Sequence, residues 1–199
     1  MSIKALFSKN KGCLKRQQIP DRTIYYQVLK FIKSGEVERI KPGVYQYNSN
    51  ISNPLMIDIE KTVPTGVLCL YSAWAFYELT VQIPQSINVA IEKSRKYVLP
   101  DYPPITLYYW QQKYHEMGVV RKNIHGYAVN IYDMEKSVCD AVKFRTKVGI
   151  DVSSEILNNY LKRSDRNLSK LNEYAKKMRI EKILRTYLEI QLWILSGKH

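Results

Sequence analysis

Arg22, Thr23, Tyr25 and Tyr26 stand close together in "RTIYYQVLKFIKSG", and Lys30 and Lys33 follow at helical spacing. Guanidinium, hydroxyl and phenol groups at the start of a helix can reach base edges, while ammonium groups further along neutralise phosphates. Arg39 and Lys41 come next in "VERIKPGVYQY", where two β-prone runs flank a Pro42-Gly43 turn. These eight side chains have the chemistry of polyanion recognition. A hairpin placed after such a helix would carry Arg39 and Lys41 to the backbone or minor groove of a duplex.

Catalytic chemistry has no comparable grouping. His115, His125 and His199 fall at metal-ligand spacing neither with one another nor with Cys13, Cys69 and Cys139. The three cysteines lack a CxxC and read as reduced core thiols, not as a disulfide frame. There is no glycine-rich phosphate loop and no GxSxG. "AIEKSRK" ends a strand-like run with Glu92, Lys93, Arg95 and Lys96, which read as a solvated charged edge. The spacing therefore predicts no enzyme, no cofactor and no metal.

Charge distribution points the same way as the first group. Residues 1–49 hold ten basic and three acidic side chains, a net +7 out of +13 for the whole chain. Residues 50–150 contribute +2 and residues 151–199 contribute +4. An excess concentrated in one quarter of a chain favours nucleic acid as partner. No apolar run approaches the roughly 20 residues of a membrane span. The start "MSIKALFSKNKG" lacks the pattern of a secretion signal, so a cytoplasmic location is expected.

The elements that would position the basic side chains can be read in order. "IKALFSKNKG" is apolar at Ile3, Leu6 and Phe7, a short helix ended by Gly12. "CLKRQQIP" reads as a second helical piece stopped by Pro20. Asp21 is a natural N-cap for a third helix that runs to Gly35 with Ile24, Val28, Phe31 and Ile32 inward. Three helices and a hairpin predict an N-terminal winged helix-turn-helix over residues 1–49 that binds double-stranded operator DNA through its third helix. Two alternatives use the same face: a protein-interaction module with an acidic partner, and an RNA-binding module stacking bases on Tyr25, Tyr26, Tyr45 and Tyr47.

The polar run "NSNISNP" marks a boundary, and residues 50–199 read as an α+β domain. "VLCLYSAWAFYEL" is apolar all round and predicts a buried helix over Val67–Leu79. "INVAI", "ITLYYW" and "YAVNIYD" predict a small sheet. Amphipathic helices are then expected over Met134–Thr146, Val152–Lys162, Leu168–Met178 and Glu181–Leu195. This helical tail carries Leu184, Leu188, Ile190, Leu192 and Trp193, more apolar surface than one local helix pair requires.

Four stretches of this second region resemble the AbiEi family of antitoxin-type transcriptional regulators from bacterial type IV toxin–antitoxin systems. They are "LCLYSAWAFYELTVQIP", "INVAI", "IYDMEKSVCDAVKFRTKVGID" and "LNEYAKKMRIEKILRTYLE", together spanning residues 55–190. The motif residues include Ser72, Thr80, Gln82, Asp133, Lys136, Asp140, Lys143 and Arg145. Ser137 stands where a threonine is usual in the family, and Tyr77 where many relatives have histidine. The resemblance implies a repressor of its own operon in phage defence by abortive infection. It also implies that the second domain opposes a nucleotidyltransferase-like toxin, with no direct contact required. The same residues have local readings. Ser72 can bond within its helix, Asp133 can cap the helix starting at Met134, and Asp140 can pair with Lys143 or Arg145.

Overall fold

A computed structural model describes residues 2–47, 58–124 and 127–195, with side chains up to residue 190. The described residues form a mixed α+β fold with two small sheets. The polar run at Asn48–Pro54, and with it the expected domain boundary, lies outside the described residues, as do His125, His199 and the side chains of Leu192 and Trp193.

The N-terminal unit begins with α1 (Ile3–Lys9), whose Ile3, Leu6 and Phe7 are buried. The second helical piece expected at "CLKRQQIP" is instead strand β1 (Cys13–Lys15) followed by a single 3₁₀ turn, Arg16–Gln18. The reason is non-local. β1 is claimed by strand β3 (Val44–Tyr47), with Cys13 opposite Gln46 and Lys15 opposite Val44. Helix α2 (Arg22–Lys33) starts as expected, the Asp21 carboxylate accepting from Ile24 N at 2.8 Å. Strand β2 (Val37–Lys41) and β3 form the hairpin, and the sheet order is β1-β3-β2. Phe7, Leu14, Val28, Val37 and Tyr45 form its core.

The second unit opens with the short helix α3 (Ile59–Thr62). Val67–Leu68 form strand β4, so only Leu70–Phe76 of the expected buried helix is helical, as α4. Strands β5 (Ile87–Glu92) and β6 (Ile105–Trp110) are parallel, and β8 (Tyr127–Tyr132) is parallel to β4. Strand β7 (Val119–Ile124) was not anticipated; with the short α5 (Gln112–His115) before it, it completes the order β6-β5-β4-β8-β7. Helices α6 (Met134–Lys143), α7 (Arg145–Val148), α8 (Ile150–Leu161), α9 (Leu168–Lys177) and α10 (Glu181–Leu195) follow close to their predicted spans.

Alternation along the strands sorts the core. Val67, Ala90 and Tyr132 face a layer made with α4, α6, α8 and α9. Their neighbours Leu68, Val89, Ile91, Val129 and Ile131 face the other way and cluster with Ile59, Val63 and with Cys13, Ile40 and Val44 of the N-terminal unit. A sheet buried on both faces needs apolar residues at successive positions, which is what these strands carry. The N-terminal unit therefore shares a core with the second sheet.

Candidate nucleic-acid interface

Helix α2 buries Val28 and rests Ile24, Tyr25, Phe31 and Ile32 on the N-terminal core. The opposite face leaves Arg22, Thr23, Tyr26, Lys30 and Lys33 exposed. Lys30 and Lys33 lie in the last turn, where the helix dipole favours positive charge. Arg22 folds back along the helix, its guanidinium carbon 5.8 Å from the Tyr26 ring centroid and Nη2 3.5 Å from the Tyr26 hydroxyl. A group presented this way is preorganised at the helix start, with no carboxylate ion partner among the described residues.

Tyr25 turns inward, against expectation. Its ring meets Tyr45 edge-on at 6.4 Å, and the Arg16 guanidinium carbon lies 4.2 Å from its centroid. Burial, and then the Tyr25 hydroxyl, push the Tyr45 phenol above its ordinary range. Arg16 was not singled out from the sequence, because nothing local marks it; the β1 turn delivers it. Its backbone N–H donates to Gly43 O at 2.7 Å, tying the 3₁₀ turn to the tip of the hairpin. Gly43, at φ +77°, supplies the left-handed turn there. Arg39 is exposed and sits opposite Tyr45 in the β2–β3 register.

Lys41 departs from its expected place on a free hairpin tip. Its ammonium donates to Thr62 O in the second unit, and the residue is half-buried. Burial, reinforced by nearby Lys15, lowers its pKa. A second lysine completes the joint: Lys61 Nζ donates to Cys13 O at 2.5 Å and Asn10 O at 3.1 Å, with Asp58 at 3.3 Å. Two of the four tyrosines considered for base stacking are also unavailable, since Tyr45 is 2% and Tyr47 9% exposed, whereas Tyr26 is 56% exposed.

The eight motif residues of the second unit do not converge on one site. Ser72 Oγ accepts from Asn88 N at 2.8 Å, across to β5 and not within its helix. Thr80 Oγ1 accepts from Gln82 N at 3.2 Å, and Gln82 is exposed. Asp133 caps α6 by accepting from Lys136 N at 2.8 Å, and also takes the Tyr174 hydroxyl at 2.9 Å and Lys170 Nζ at 3.0 Å. Asp140 pairs with Lys136 at 2.6 Å, not with Lys143 or Arg145, and both partners are fully buried. The Lys136 ammonium lies 4.0 Å from the Tyr132 ring centroid and 4.4 Å from that of Trp110. Lys143 reaches Met178 O at 3.4 Å, and Arg145 reaches Val142 O at 3.1 Å. Among the described residues no group of three His, Cys, Asp or Glu side chains is placed to hold a metal ion, and no helix is long and apolar enough to cross a membrane.

The exposed basic face of α2, the Arg16 corner and the hairpin all lie within one contiguous stretch, and that stretch matches a family model. Residues 1–48 match the family model described as transcriptional regulator, AbiEi antitoxin. The match ends with β3, so it covers the basic N-terminal unit and none of the second-unit stretches that resemble the family. No curated protein matches the chain.

Proposed function

We propose that the protein is a DNA-binding autorepressor and the antitoxin of a type IV toxin–antitoxin system, opposing a nucleotidyltransferase-like toxin in phage defence. The observation that carries this reading is the AbiEi match falling on the unit that holds most of the net positive charge. In this reading residues 1–49 are a winged helix-turn-helix. α2 is its recognition helix, the β2–β3 hairpin its wing, and the 3₁₀ turn stands in for the middle helix. Arg22, Thr23 and Tyr26 meet base edges, while Lys30, Lys33, Arg39 and Arg16 neutralise phosphates. Residues 50–199 form the antitoxin domain, in which Asp133 ties the start of α6 to α9 through Tyr174 and Lys170, and the Lys136–Asp140 pair is buried along α6.

The test is binding of the full chain to duplex DNA from upstream of its own reading frame, across a salt series. Log K should fall steeply with log salt. Arg22→Ala should relax sequence preference at about 1–3 kcal/mol, whereas Lys33→Ala should weaken all sequences alike. Single-stranded RNA competing as well as the duplex would overturn the reading. The burial of Tyr45 and Tyr47 already removes half the aromatic surface that RNA stacking would use. For the antitoxin half, co-expression with the toxin encoded beside it should restore growth, and the Arg22→Ala chain should still do so.

A further inference from the structure

The hairpin does not project freely. Arg39, Lys41 and Pro42 line an open cleft of about 250 Å³ whose other wall is Val98, Leu99 and Asp101, from the segment between β5 and β6. That segment is anchored from behind: the Tyr97 hydroxyl donates to Pro64 O, and the Tyr97 and Leu99 side chains pack on the core that holds Ile40 and Val44. Immediately before it, Lys93, Arg95 and Lys96 are all exposed. Arg95 lies 3.9 Å from Glu92, at the edge of ion-pair distance, and no ion pair to Lys93 or Lys96 occurs among the described residues. Lys96 stands two residues before Val98 of the cleft wall, a chain span of at most about 7 Å. Against these three cations the segment sets Asp101, leaving it net positive.

We infer that Lys93, Arg95 and Lys96 form a second phosphate-binding arm, contributed by the antitoxin domain, which grips the duplex beside the wing. This rests on the DNA-binding reading above and extends it past residue 49. The shared core fixes the arm relative to the wing, so its contacts add to those of α2 without a further ordering cost for the domain. Three cations on one exposed loop neutralise phosphates, so the arm adds affinity and footprint length, not sequence choice.

The experiment compares the wild-type chain, the triple variant Lys93→Ala/Arg95→Ala/Lys96→Ala, and Arg22→Ala on one upstream duplex of about 30 bp, roughly three helical turns. Salt slopes and hydroxyl-radical footprints are recorded, with thermal melting to check each fold. The triple variant should lower the magnitude of the salt slope by about 2–3, at roughly 0.9 per lost phosphate contact, and shorten the footprint on one flank. It should keep the sequence preference that Arg22→Ala loses. Restoring charge with Lys93→Arg/Lys96→Arg should leave slope and footprint as in the wild type. If the wild type binds steeply with salt while the triple variant keeps both slope and footprint, the arm does not exist. If the wild type itself shows no salt-dependent duplex binding, the DNA-binding reading fails and the arm with it.

Discussion

The Arg16 guanidinium carbon lies 4.2 Å from the Tyr25 ring centroid, while the Arg16 backbone N–H donates to Gly43 O. One residue thus joins the start of α2 to the tip of the hairpin. Among the described residues the guanidinium has no carboxylate ion partner, which leaves it open to a phosphate.

Arg16→Ala should therefore weaken duplex binding for all sequences and lower the magnitude of the salt slope by about 1. Arg16→Lys should restore the slope, since the charge returns. It should recover less of the affinity, because an ammonium does not stack as a guanidinium does. Equal affinity for all three proteins would remove Arg16 from the interface.

The joint between the units makes a second prediction. Lys61 donates to the backbone carbonyl of Asn10, in the loop before β1, and to that of Cys13, at the start of β1. Lys61→Met should destabilise the chain by about 1.5–3 kcal/mol, the scale of hydrogen bonds to a charged group. Thermal melting of the full chain measures this. Residues 1–49 expressed alone should melt at lower temperature than the full chain, because Cys13, Ile40 and Val44 lose the partners they have on the second sheet.

The features legible in the sequence were those decided locally. α2 announced itself through a 3.6-residue apolar period behind an Asp21 cap, and the hairpin through Pro42-Gly43. The three residues of β1 hold no period of their own, so the sequence there suggests helix and only pairing with β3 settles the conformation. β7 was missed for a related reason. As an edge strand its Arg121, Lys122 and Asn123 are exposed, so it lacks the apolar run that marked β5. At the candidate interface, the exposed face of α2 was legible for the same reason as its buried face. Arg16 and Lys41 were not, since one is placed by Tyr25 and the other by Thr62 O, 21 residues along the chain.

Lys136 and Asp140 were also beyond local reading, since charged residues i,i+4 on a helix are usually solvated. Here both are buried in the core, between α6 and the rings of Tyr132 and Trp110. Burial pushes the Asp140 carboxyl up against the pull of Lys136. Lys136→Met should cost about 3–5 kcal/mol by leaving an unpaired buried carboxylate. The double variant Lys136→Met/Asp140→Leu should recover much of that loss. Duplex affinity, measured well below the melting temperature, should stay near wild type in the double variant. A Lys136→Met chain that melts normally would show the pair to be dispensable.

The last prediction concerns pH. His115 is buried at the end of α5, with Nε2 3.3 Å from Ala90 O. Burial is the largest influence and, with Lys136, lowers its pKa below 6.5, against the Ala90 carbonyl, Glu92 and Glu116, which raise it. The folded chain therefore holds His115 neutral at a pH where the unfolded chain has begun to protonate it. Because the unfolded state binds more protons in that window, stability rises with pH there and is lost on acidification. The loss begins near the unfolded value of about 6.5 and continues down to the folded value, with a slope of at most about 1.4 kcal/mol per pH unit for one proton. His115→Gln keeps a polar side chain near Ala90 O and removes the titration. Denaturant midpoints measured from about pH 8 down to about pH 5 should diverge between the two proteins, with the wild type falling faster below about 6.5. Parallel curves would mean that His115 contributes nothing to the acid sensitivity of the fold.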